Sequence, residues 1–162
     1  MKLFNTKWKA LNKQQFGRLG EYFAKMLFTS YGWYVYTSEV DDHAIDFVAE
    51  PSDGKGYYGV QVKCVSTGSD TCNIPKSKTI IDDKHLICYL RFIEGELPNA
   101  YIFRTSEWTN PKYDKILGSN DYKSEKTKSN PEYNIKFSKK NEALFSELTA
   151  EKFFEGFSEG KL

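Results

Sequence analysis

Asp46, Gln61 and Lys63 are the residues whose types and spacing suit chemistry in this chain. Asp46 enters an apolar run, Phe47-Val48-Ala49. Fifteen residues later, Gln61-Val62-Lys63 sits inside a second apolar run, Gly59 to Val65. Residues i and i+2 of a strand share a face, so Gln61 and Lys63 project together while Val60, Val62 and Cys64 point the other way. A carboxylate, an amide oxygen and an ammonium brought together can hold a hard divalent cation and stabilise charge that develops on a substrate. Gly20-Glu21, earlier in the chain, supplies a further carboxylate.

The elements that must position these residues can be read from periodicity. Phe16, Leu19, Phe23, Met26 and Leu27 recur at spacings of three and four, which predicts a helix over 12–30 with Gly32 as its stop. Glu21 falls on a wheel face with Gly17, Ala24 and Phe28 rather than with Leu19 and Phe23, and small neighbours let such a face approach a sheet closely. Residues 33–37, 44–50 and 57–66 are rich in aromatic and β-branched types and read as strands, with a polar turn at 41–43 and a hairpin loop at 51–56. Residues 85–92 and 100–104 read as two more strands; 73–84 match no pattern. Residues 109–132, rich in Lys, Ser, Asn and Pro, read as a long surface loop. A short strand over 133–138 and a closing amphipathic helix over 141–157 complete an α/β chain with a central sheet.

At 162 residues the chain suits one domain, 1–162, with a core of about 12–108 and a basic loop plus C-terminal helix over 109–162. No apolar stretch approaches the roughly 20 residues of a membrane span, and no apolar h-region follows Met1–Lys7. Cys64, Cys72 and Cys88 are odd in number and show no C-x-x-C spacing, so a reducing cytoplasm is the expectation. A zinc site from Cys64, Cys72 and His85 has no spacing to support it. The net charge of +1 hides segments of +5 (1–18), −5 (19–108), +4 (109–141) and −3 (142–162). An acidic middle between basic flanks suits a cation site edged by phosphate contacts, and ordinary solvated surface would look the same.

Gly17-Arg18-Leu19-Gly20-Glu21, Asp42-His43-Ala44-Ile45-Asp46 and Gln61-Val62-Lys63 together resemble the PD-(D/E)XK nuclease superfamily, in particular its branch of Mrr-type restriction domains and Holliday-junction resolvases. The resemblance covers residues 14–66 well and 85–105 loosely. It implies a restriction-endonuclease-like αβββαβ core, a mixed central sheet flanked by helices. It also implies a Mg²⁺-dependent endonuclease acting on DNA as a homodimer or larger homo-oligomer, with Mn²⁺ able to substitute. The catalytic set would be Glu21, Asp46, Gln61 and Lys63. The metal would rest on Asp46, Gln61, the Val62 carbonyl and Glu21. Gln61 departs from the commoner Glu and removes one negative charge, which shifts weight onto Glu21; Ala44 stands where the branch often has Gly.

Candidate nucleic-acid contacts are Lys13 and Arg18 at the first helix, His43 before Asp46, and Lys76, Lys78 and Lys84 after the site strand. Such lysines would supply affinity without sequence choice. The interleaving of Tyr113, Lys115, Tyr122 and Lys123 could stack on bases, against the simpler reading of a plain surface loop. Two rival functions stay open: a nuclease-fold binding or assembly module with weak or no catalysis, and a nuclease directed at RNA.

Overall fold

The computed structural model describes residues 3–37, 44–66, 68–122 and 129–161. Helix α1 spans Lys13–Ser30. It starts where the Asn12 side chain accepts from the Gln15 amide and the Gln15 side chain accepts from the Asn12 amide, satisfying two otherwise orphaned donors. It ends at Gly32, whose φ of +80° few other residues tolerate. Strands β1 (Tyr34–Tyr36), β2 (Phe47–Glu50) and β3 (Tyr58–Ser66) follow as an antiparallel meander. β3 then pairs in parallel with β5 (His85–Phe92), and β5 pairs antiparallel with β6 (Asn99–Arg104). The resulting sheet has the order β1-β2-β3-β5-β6 and is mixed, with helices at its flank.

The connection between β3 and β5 differs from the expected αβββαβ order. It carries strand β4 (Thr71–Pro75) and one 3-10 turn, Lys76–Lys78, where that order places an α-helix. β4 joins β8 (Glu132–Lys136) and β7 (Leu117–Asn120) in a second, three-stranded sheet of order β4-β8-β7. Residues 109–132 are therefore not one surface loop: Tyr113, Ile116 and Leu117 are buried. The expected closing helix also divides. Glu142–Phe145 forms α2 and Ala150–Ser158 forms α3, separated where Thr149 bridges to Tyr101 of β6.

The two faces of the five-stranded sheet bury different partners. Tyr58, Val60 and Val62 of β3 face α1 and α3, in a core with Phe28, Trp33, Phe153 and Phe154. The buried stripe of α1 is Gly20, Ala24 and Phe28, one residue every turn, while Leu19 and Phe23 are only partly covered. On the other face Val65, Ile87, Tyr89, Tyr101 and Phe103 pack against Ile74, Ile116 and Ile135 of the second sheet region. Among the described residues, no helix is long and apolar enough to cross a membrane.

Candidate active site

The ladder between β2 and β3 stops at the pair Phe47–Val60. One residue earlier, the Asp46 amide donates to the Val60 carbonyl at 2.8 Å. The next β3 amide, Val62 N–H, donates at 2.6 Å to Oδ2 of Asp46, a side-chain oxygen in place of a backbone carbonyl. A carboxylate thus caps the ladder, and a charge-assisted bond of that length fixes its orientation. The N–H and C=O of one strand residue point to the same edge, so the Val62 carbonyl turns toward Asp46 as well. β2 begins three residues later than expected because Ala44 has φ +54°, the left-handed region that favours glycine and costs other residues about 1–2 kcal/mol. Ala44 thus holds a backbone conformation that glycine adopts freely.

Continuing the register sets Asp46 opposite Gln61, with Lys63 two residues along the same face. Gln61 is a buried polar residue, 9% exposed, and its side chain makes no hydrogen bond to any of the described residues. It lines a small hollow with Ile45, Gly59, Lys78 and His85. Alternation read from the sequence puts Gln61 and Lys63 on one face, and the β2–β3 register sets Asp46 beside them.

Next to Glu21, α1 approaches β3 closely at Gly20 and Cys64, on the face of the sheet opposite Gln61 and Lys63. A Cβ built on Gly20 would lie 1.9 Å from Sγ of Cys64, so with Cys64 in this rotamer only glycine fits. The Glu21 carboxylate pairs with Arg18 at 3.1 Å, an exposed i,i+3 contact that contributes little to stability. The Cys64 thiol lies on the face of β3 opposite Gln61 and Lys63, against α1. Burial pushes its pKa up to about 12; the Cys72 thiol and the charges of Asp46 and Glu21 push in the same direction, and Lys63 pulls it down. Cys64 itself was legible only as core; its role as the contact point of α1 appears with the close approach.

The basic candidates divide. Lys13 and Lys78 are exposed, and Lys78 borders the hollow beside Gln61. Arg18 pairs with Glu21. Lys76 is held by Asp121 at 2.6 Å and lies over the Tyr133 ring. The Lys84 ammonium stands 4.5 Å above the Tyr58 ring. His43 lies outside the described residues, as does Lys123. Tyr113 is buried in the second core and the Tyr122 hydroxyl donates to Glu132, so the expected stacking segment does not offer those two rings freely. The zinc alternative fails on distance: His85 pairs with Gly59 and Cys64 with Leu90, five residues apart along the strands, about 16 Å. His85 Nδ1 instead contacts Asp82 at 2.8 Å.

Among the described residues, no three His, Cys, Asp or Glu side chains converge on one point. A metal here would rest on the Asp46 carboxylate with neutral oxygens from Gln61 and the Val62 carbonyl, and on water. That donor set is all hard oxygen, which fits Mg²⁺ or Mn²⁺ and not Zn²⁺. Two solved structures are similar to this chain. One is a bacterial homing endonuclease, I-Ssp6803I, with a TM-score of 0.49 and 17% identity over 73% of this chain and 86% of that one. The other is Hjc, a Holliday junction resolvase from Archaeoglobus fulgidus, with a TM-score of 0.45 and 10% identity over 80% of this chain and 87% of that one. No protein-family model and no curated protein matches the chain.

Proposed function

We propose that this chain is a Mg²⁺-dependent endonuclease that hydrolyses phosphodiester bonds of DNA. The observation that supports this most is the Asp46 carboxylate, fixed by the Val62 amide beside Gln61 and Lys63 where β2 leaves β3. Asp46, Gln61 and the Val62 carbonyl would hold the ion, with Glu21 supporting directly or through water. Mg²⁺ supplies Lewis acidity and a bound water of lowered pKa. The protein's own groups do the rest. Val62 N–H keeps the carboxylate turned toward the site. Lys63 places a positive charge beside the transferring phosphoryl group and can orient the attacking water. The exposed Lys13 and Lys78 are suited to phosphate contacts that position the strand. A homodimer would supply the second site that cutting both strands requires.

The test is cleavage of supercoiled plasmid, linear duplex and branched DNA in Mg²⁺ or Mn²⁺. Asp46→Ala and Lys63→Ala should each lower the rate about a hundred-fold or more. Wild-type protein that cuts none of these substrates, or variants that cut as well as wild type, would remove the catalytic reading. A second reading is a nucleic-acid-binding or assembly module with weak or no catalysis, favoured by the neutral Gln61 and the single fixed carboxylate. It expects binding that needs no Mg²⁺ and that strengthens in Asp46→Ala as phosphate repulsion falls.

A further inference from the structure

The second sheet covers only part of the face that carries Gln61 and Lys63. It packs on Val65, Ile87, Tyr89, Tyr101 and Phe103, at the β5–β6 side. The β1–β2 side of the same face holds a group of exposed tyrosines. Val35 packs into the α1 core, so its neighbours Tyr34 and Tyr36 project to the opposite face, the one shared with Gln61. Tyr34 is 60% exposed, Tyr36 47% and Tyr57 61%. The Tyr36 and Tyr57 rings lie 6.1 Å apart at 63°. Tyr36 pairs across to Val48, and Val48 to Gly59, two residues before Gln61. The tyrosines are thus continuous with the candidate site across one sheet surface.

We infer that Tyr34, Tyr36 and Tyr57 form a stacking platform for unpaired nucleobases of the strand presented to Asp46, Gln61 and Lys63. The inference rests on the nucleic-acid reading of the site and gives it a substrate class: single-stranded or locally opened DNA. Aromatic rings on an uncovered sheet surface stack bases without sequence preference, because every base has a π-face.

The charge around the patch favours bases over phosphates at its centre. The Glu50 carboxylate accepts from the Tyr36 hydroxyl at 2.6 Å, within the platform, and would repel a phosphate laid on it. One cation lies at the margin: Lys55, exposed in the loop before Tyr57 and paired with Asp53 at 3.4 Å. Bases inward and phosphates outward is the arrangement that satisfies both. A second copy of the chain fits less well. Edge strand β1 has only three residues to offer a ladder.

The experiment is fluorescence anisotropy with a fluorescein-labelled oligothymidylate of about 15 nucleotides, and with the same strand paired to oligodeoxyadenylate, in EDTA. Tyr34→Ala and Tyr57→Ala should each weaken oligothymidylate binding about five- to a hundred-fold and change duplex binding less than about two-fold. Tyr34→Phe and Tyr57→Phe should keep wild-type affinity, because the ring is retained. Alanine variants that bind oligothymidylate as wild type does would overturn the inference. So would a wild-type dimer in sedimentation that becomes monomeric in the alanine variants, since the patch would then be an interface between copies. Tyrosine-dependent binding in a protein that cuts no DNA would support the platform while removing the nuclease reading. Metal-dependent cutting with tyrosine-independent binding would do the reverse.

Discussion

Replacing Gly20 by alanine tests how α1 is held against β3, and with it the placement of Glu21. The new Cβ would sit 1.9 Å from Sγ of Cys64 but 3.5 Å from Cys64 Cβ, so the clash is with the sulfur alone. To fit, Cys64 must leave its rotamer or α1 must move outward. Overpacking of this kind costs about 1–3 kcal/mol. The same change gains about 0.5–1 kcal/mol from better helix propensity. Gly20→Ala should therefore lose up to about 2.5 kcal/mol net, and Tm should fall by up to about 10 °C for a chain of this size. In a Cys64→Ala background the sulfur is gone, the Cβ–Cβ separation is ordinary contact, and the sign should reverse. Gly20→Ala should then stabilise by about 0.5–1 kcal/mol, a coupling of about 1–3 kcal/mol in a double-mutant cycle. Thermal melts of the four proteins measure it, and plasmid cleavage run in parallel should fall in Gly20→Ala and recover in the double variant. A coupling near zero would refute the close approach.

Gln61→Glu should restore the missing charge: metal-free protein should melt lower, because two carboxylates then face each other across strands, and Mg²⁺ should raise Tm more than in wild type, with affinity up about ten-fold or more by calorimetry. Burial raises the pKa of all three thiols, Cys64 to about 12 and Cys72 and Cys88 also upward. The unfolded chain would release those protons near the ordinary thiol value of 9.0 while the folded chain keeps them. Stability is thus intact below pH 9 and lost progressively above it, and the native protein should react with Ellman's reagent at pH 8 far more slowly than the unfolded one.

What was legible in the sequence followed from period. α1, β1, β2, β3, β5 and β6 were placed by apolar repeats, with boundaries off by no more than three residues, the largest shift being at Ala44 where φ turns positive. The shared face of Gln61 and Lys63 followed from alternation, while Asp46 was joined to them by the motif resemblance and is set opposite Gln61 by the β2–β3 register. β4 and β7 gave no such signal: each buries a single residue outright, Ile74 in one and Leu117 in the other, so the second sheet is built by pairing rather than by pattern. The division of 141–157 arises from the bridge between Thr149 and Tyr101, a tertiary contact that periodicity cannot carry. The tyrosines of 33–37 read as strand formers; that they are exposed beside the site depends on how far the second sheet extends.

The position of the metal decides between these readings. Crystals soaked in millimolar Mn²⁺ should give an anomalous peak about 2.0–2.2 Å from an Asp46 carboxylate oxygen, the Gln61 amide oxygen and the Val62 carbonyl, absent in Asp46→Ala. No peak there, or one that persists without the Asp46 carboxylate, would contradict the account.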